Sequence, residues 1–378
     1  MRQANDLKSK IRQWHKMDRT WLAVTLAILI LNGQVGCRSS KPPPSPTPTP
    51  LSLSQELVLY NWPLYMPQVV LDDFNAEYGV KIIYLTYDTG EEAVDTIKAG
   101  KIVHDVAIID NDLVPPLTAD GLLAEIDYQN VPNFKNISAN FRDLAYDPGN
   151  RHSVPYSWGT TGLLVRTDLV QAPVTSWADL WDERYTGRVG VPEEPTELIS
   201  VALKALGFPL NSEDPAQLEA ALDHLLKLKK SLVFVGSEEP EAVERLVSGE
   251  VVILLGYSGH ALIAREEHPA IQYVLPKEGT LLWGDSLVIS AASPNQYTAE
   301  IFLNYILRPQ VSARIVKEYY YATANEGAYP FLDPEILDDP VLFPPVEYLT
   351  KNDFYAPLSP QGQKLYADVW DRFMAASP

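Results

Sequence analysis

Residues 57–110 read LVLYNWPLYMPQVVLDDFNAEYGVKIIYLTYDTGEEAVDTIKAGKIVHDVAIID. Leu57–Tyr60 is an apolar run that ends at Asn61-Trp62-Pro63. From Val69 to Tyr78 the apolar positions Val70 and Phe74, with Leu71 beside them, have helical spacing, and Gly79 stops the pattern. Val80–Tyr84 reads as a second strand, Glu91–Ala99 as a helix ending at Gly100, and Val103–Ile109 as a third strand. This alternation predicts an α/β fold whose sheet is parallel and carries helices on its faces. In such sheets ligands lie beyond the carboxyl ends of the strands. Those ends carry Trp62 and Tyr65 after the first strand, and Asp110, Asn111 and Asp112 after the third. Two aromatics and two acids thus fall where chemistry is expected.

A second stretch has the same character. In Gly279-Thr-Leu-Leu-Trp-Gly-Asp-Ser-Leu-Val-Ile289 an apolar strand, Leu287–Ile289, follows a turn that holds Trp283 two residues before Asp285. On extended backbone, residues two apart face one side. The pair therefore aims an aromatic face and a carboxylate at one spot, which suits an organic ammonium ion: the ring attracts the cation and covers its methylenes, and the carboxylate accepts its N–H bonds.

Around these stretches lies a chain of 378 residues, long enough for two lobes. At 46% apolar residues it can bury a sizeable core. The formal charge is −19; residues 1–36 hold six Lys/Arg against two Asp, leaving −23 for the rest. A surface so acidic repels nucleic acid and concentrates cations, so no nucleic-acid partner is expected. The first 37 residues read as a targeting segment: a basic region from Arg2 to Arg19, an apolar run from Trp21 to Leu31, then Gln34-Val-Gly-Cys37. The last four resemble a bacterial lipobox, with the chain's only cysteine, Cys37, in the acylated position. With that cysteine used, no disulfide can form. Lys41-Pro-Pro-Pro-Ser-Pro-Thr-Pro-Thr-Pro50 then predicts an extended spacer, roughly 30 Å long at about 3.1 Å per residue.

Further along, Arg151–Thr161 reads as a polar, aromatic, turn-rich crossing that serves as a hinge. Ser176-Trp-Ala-Asp179 has the form of a helix start with a capping box. Pro195 suits a first helical position, which puts Glu194 and Glu197 on one face of a helix N-terminus; taken alone, that placement favours capping over ligand binding. Asp214-Pro215 opens the clearest helix, with Leu218, Ala221, Leu222, Leu225 and Leu228 as its apolar stripe. Gly256-Tyr-Ser-Gly-His260 stands where a hydrolase nucleophile elbow would, after a strand and before a helical run, but His260 occupies the position of the second glycine. Tyr319-Tyr-Tyr321 offers phenolates for ferric iron, though such runs more often pack as aromatics. The six histidines have no metal-ligand spacing, and no phosphate loop or dinucleotide fingerprint occurs. No enzyme activity, cofactor or metal is expected.

Leu59-Tyr-Asn-Trp-Pro-Leu-Tyr65, Val174-Thr-Ser-Trp-Ala-Asp-Leu-Trp181, Pro276-Lys-Glu-Gly-Thr-Leu-Leu-Trp-Gly-Asp-Ser-Leu287 and Leu307-Arg-Pro309 together resemble the periplasmic spermidine/putrescine-binding proteins, the substrate-binding components of polyamine ABC transporters. The resemblance implies a type II periplasmic binding protein: two α/β lobes joined by a hinge, with the ligand cleft between them. It implies lobes of residues 56–159 plus 284–329 and 160–283 plus 330–378, after a signal of residues 1–37 and a linker of 38–55. By position, Trp62, Tyr65, Tyr257 and Trp283 match the family's aromatic box; Glu194, Glu197 and Asp285 match its amine-holding acids; Ser237 and Tyr321 match further polar contacts. Two departures stand out. Asp110-Asn111-Asp112 replaces the family's Ser-Thr-Tyr, and Lys351 stands where a Gln contacts the ligand. The expectation is a monomeric, non-catalytic, lipid-anchored periplasmic protein that binds spermidine or putrescine and serves an ABC permease. A binding protein for ferric iron or another organic cation is the alternative, with a serine hydrolase behind it.

Overall fold

The computed structural model describes residues 52–63, 65–235, 239–344 and 354–377. Cys37, Ser237 and Lys351 lie outside the described residues. Ten strands are present among them: β1 (Glu56–Asn61), β2 (Lys81–Thr86), β3 (Val106–Asp110), β4 (Ser153–Arg166), β5 (Val189–Pro192), β6 (Leu232–Val235), β7 (Ile253–Tyr257), β8 (Ile271–Val274), β9 (Leu281–Ile289) and β10 (Ala322–Thr323). They form one sheet in the order β2-β1-β3-β9-β4-β7-β5-β6, with β8 and β10 each pairing to β4.

The opening stretch folds as its pattern predicts, but the expected parallel sheet is corrected to a mixed one, because β9 runs antiparallel to β3 and β4, and β4 antiparallel to β7. β1 pairs parallel to both β2 and β3, and helices Gln68–Tyr78 and Gly90–Lys98 connect them. Local chemistry sets the helix ends. Gly79 takes a left-handed φ of 71° and stops the first helix; Thr89 caps the second by accepting from the Glu92 amide at 3.1 Å. Alternation along the strands fills two faces. Leu57, Leu59 and Ile108 join a core with Phe74 and Phe302, whereas Tyr60, Ala107 and Ile109 point the other way, towards Tyr87 and Ile97.

The second half repeats the plan. Leu163, Val165, Val191 and Leu255 pack beneath helices Pro195–Ala205, Pro215–Leu228 and Pro360–Ala375, while Leu164 and Leu254 face a smaller core with Leu246 and Ala264. Asp214 caps Pro215–Leu228 through the amides of Ala216 and Gln217. The capping box at Ser176 and Asp179 forms as expected, although the element it opens, Trp177–Trp181, is a 3-10 helix.

One reading is corrected. Residues 151–161 do not form a turn-rich crossing: from Ser153 onward they belong to β4, which is buried over its whole length. Polar and aromatic side chains are accommodated there because each finds a partner. The Tyr156 hydroxyl donates to Tyr65 O at 2.7 Å, the Ser157 hydroxyl to Ala322 O at 3.1 Å and the Trp158 indole to Thr323 O at 3.2 Å. Pro155 is tolerated where the β4–β9 register shifts, between Pro155 and Ser157. β4 still joins the two halves. Val154, Tyr156 and Trp158 lie in the first core, Leu163 and Val165 in the second. Its neighbour β9 does likewise, with Leu281 in the second core and Leu287 and Ile289 in the first.

Candidate functional site

The site is built on β9 and its neighbours. Trp283 and Asp285 both lie within this strand, not in a preceding turn, so their common side follows from the pleat. Antiparallel pairing sets Asp285 opposite Asp110 of β3 and opposite Ser157 of β4, and sets Trp283 opposite Gly159. A methyl group on Gly159 would overlap the Trp283 indole, so this glycine is the floor on which the ring rests. Gly259 does the same for Tyr321, whose ring would lie 2.7 Å from a Cβ there.

Four expected aromatics form a continuous wall. The Tyr257 and Trp283 rings are 6.0 Å apart and nearly perpendicular, Trp283 and Tyr321 are 5.8 Å apart, and Tyr321 and Tyr65 are 5.0 Å apart. Trp62, the fifth, packs against Tyr87 at 4.5 Å and bears on the Asp285 carboxyl.

Acids stand at both ends of this wall. At one end the Tyr65 hydroxyl donates to Asp285 Oδ2. Burial raises Asp285 to about 6, while Tyr65, Asp110 and Trp62 limit the rise. Burial, followed by the charge of Asp285 and then that of Asp112, pushes the Asp110 carboxyl well above the usual range. At the other end Glu197, only 5% exposed, accepts from the Thr161 hydroxyl at 2.6 Å and from the Tyr257 hydroxyl at 3.1 Å. Burial raises its pKa also, against the pull of those two bonds. Glu194 bears electrostatically on both Asp110 and Tyr257.

The reading of Glu194 and Glu197 as helix caps is therefore corrected. The side chain of the N-cap residue, Glu194, makes no capping bond at Pro195–Ala205, and Glu197 turns to β4 and β7 instead. Of the expected site residues, Trp62, Tyr65, Asp110, Asp112, Glu194, Glu197, Tyr257, Trp283, Asp285 and Tyr321 come together. Tyr355 was not expected. Its hydroxyl is buried without a hydrogen-bond partner among the described residues, and Glu197, Tyr257 and Asp112 act on it electrostatically. Its sequence context, Asp353-Phe-Tyr-Ala356, has no pattern that would single it out. Trp283 Nε1 and Asp285 Oδ1 are likewise buried and without a well-formed hydrogen bond. Two donors and an acceptor thus line the same wall with bonding capacity to spare.

Ser258, the serine of the elbow-like motif, begins helix Ser258–Glu267 and is 2% exposed, with its hydroxyl turned to the Thr160 amide at 3.5 Å. Among the described residues, no group of three or more His, Cys, Asp or Glu is arranged to hold a metal ion.

A pair of α/β halves sharing long strands, with an acid-flanked aromatic wall where those strands pass between them, defines a solute-binding protein. The chain matches the family model for bacterial extracellular solute-binding proteins over residues 70–344 and belongs to that family. The spermidine/putrescine-binding periplasmic protein of Escherichia coli (strain K12) is 34% identical over 300 residues, covering 79% of this chain and 86% of that protein. The putrescine/agmatine-binding protein of Pseudomonas aeruginosa is 30% identical over 338 residues, covering 84% and 92%. Among solved structures, the spermidine/putrescine ABC transporter substrate-binding protein PotD from Streptococcus pneumoniae superposes with a TM-score of 0.77 at 30% identity, over 85% of this chain and 99% of that one. The fold is that of a periplasmic binding protein with two α/β lobes.

Proposed function

We propose that this protein captures a polyamine, spermidine or putrescine, outside the cytoplasm and presents it to an ABC permease. The observation that carries this reading is the wall Tyr257–Trp283–Tyr321–Tyr65 with Glu197 at one end and Asp285 at the other. Buried carboxylates are costly unless a cation pairs with them, and the two ends are separated by rings suited to covering methylenes. A ligand with ammonium groups joined by an alkyl chain answers both demands. The names of the relatives support the same chemistry.

In this reading the lobes comprise residues 56–159 plus 284–329 and 160–283 plus 330–378, and closing them over the ligand excludes water and strengthens the ion pairs. Ser237 and Lys351 remain candidate contacts on the strength of the family pattern. Acylation of Cys37, followed by the Pro-rich spacer, would hold the monomer at a membrane surface; among the described residues no helix is long and apolar enough to cross a membrane.

Isothermal titration with putrescine, spermidine and spermine tests the reading. At least one is expected to bind with one site per chain. Trp283→Ala and Asp285→Asn are each expected to lose at least about tenfold in affinity, on the order of 1.5–3 kcal/mol for a charged hydrogen bond or a desolvated cation–π contact. Titration curves unchanged in both variants would reject the site.

A further inference from the structure

The two acidic ends of the wall are built differently. At Glu197 each carboxylate oxygen receives a hydroxyl, so both oxygens have a protein donor. At the other end two acids meet. β3 and β9 bring Asp110 and Asp285 to directly paired positions on one face of the sheet, and each carboxyl bears on the other. Asp285 is 3% exposed, and its Oδ1 has no well-formed bond to any amide or hydroxyl among the described residues. Two carboxylates that share a buried site do not both ionise. We propose that Asp110 and Asp285 hold one proton between them in the free protein, and that a terminal primary ammonium of the ligand takes its place, releasing that proton to solvent. The proposal rests on the polyamine reading and adds to it the ionic form of the receptor.

The surroundings decide which acid carries the proton. Tyr65 and Trp62, from the segment after β1, bear on Asp285 and favour its anion. Asp112, from the turn after β3, and Glu194, at the start of helix Pro195–Ala205, set negative charge against Asp110. Tyr87 and Tyr146 border the pair as neutral phenols. Gly90 opens helix Gly90–Lys98 so close that a Cβ would lie 3.0 Å from Asp110 Oδ2; this helix end favours the Asp110 anion and opposes the acids. Burial adds to the acids and prevails, so Asp110 carries the proton and Asp285 the charge. A primary ammonium brings three N–H donors together with a positive charge. It can satisfy both carboxylates at once, and its charge removes the reason for Asp110 to stay neutral. A quaternary ammonium has no N–H to place there, so this end selects a free terminal amine.

Titration of the full wild-type chain with putrescine near pH 7, in buffers of small and large ionisation enthalpy, reads the proton directly. The expected result is about one proton released per ligand, with affinity rising by up to about tenfold per pH unit while the free pair is protonated. Asp110→Asn is expected to bind more weakly and to release close to none. Infrared difference spectra of the wild type supply a readout that needs no variant: the protonated-carboxyl stretch should disappear when putrescine is added. Binding with equal heats in all buffers and an unchanged carboxyl band overturns the proposal and leaves the polyamine reading standing. Proton release undiminished in Asp110→Asn overturns it too, by placing the proton elsewhere. If neither putrescine nor spermidine binds the wild type, the polyamine reading itself fails and the proposal falls with it.

Discussion

Asp285 illustrates how one residue can serve binding at the expense of the free fold. In the unfolded chain its carboxyl ionises near pH 4, whereas burial in the folded protein raises it to about 6. Between those values the folded state holds the extra proton. Stability from this group is therefore full below about pH 4, declines as pH rises, and is lost above about pH 6. A displacement of that size corresponds to on the order of 3 kcal/mol. Asp285→Asn removes the charge and keeps an acceptor for Tyr65. Without ligand, this variant is expected to melt above the wild type near pH 7.5 and close to it near pH 4.5, as followed by circular dichroism. A lower melting temperature near pH 7.5 would mean that the carboxylate stabilises the free protein. Glu197, raised by burial and held down by two hydroxyls, works in the same direction at the other end of the wall.

At the scale of the element, β4 matters most. Gly159 on this strand sits under Trp283 of β9, and a single methyl group there would lift the indole from its seat. Gly159→Ala is expected to weaken polyamine binding by at least about tenfold, comparable to losing the ring contact itself, and to change the tryptophan emission of the free protein. Wild-type affinity in this variant would show that the indole can shift without losing the ligand. How legible such features were depended on how local their causes are. The helices Gln68–Tyr78 and Pro215–Leu228 were readable because apolar spacing, Gly79 and Asp214 all act within a few residues. The first part of β4 was not, because Ser153-Val-Pro-Tyr-Ser-Trp-Gly-Thr-Thr161 lacks an aliphatic run, and its polar atoms find partners as distant in the chain as Ala322 and Thr323. Taken alone, the position of Glu197 pointed to a cap for the same reason. A cap is a local device, but Thr161 and Tyr257 lie 36 and 60 residues away and only the sheet brings them near. The pairing of Trp283 with Asp285 was legible from the two-residue period of a strand. The junction of Asp285 with Asp110 depended on a strand order that no local pattern contains.

For the whole molecule, the decisive arrangement is that β9 lies between β3 and β4. Both halves draw on it, so neither half of the sheet is complete without residues 281–289. A fragment of residues 52–280 keeps the first eight strands but leaves β3 without its β9 neighbour. Such a fragment is expected to show no cooperative thermal transition, because an uncovered central edge and an unfilled core are left behind. A sharp melt would show that each half can close by itself. The same placement has a consequence for synthesis. A ribosome must complete about three quarters of the chain before the strand that both halves need has emerged, and pairings so distant in sequence form slowly. Until that strand is made the two halves lack the neighbour that joins them, so the newly made chain stays loose through most of its synthesis and would still be open enough to thread a translocation channel if its opening 37 residues serve as an export signal.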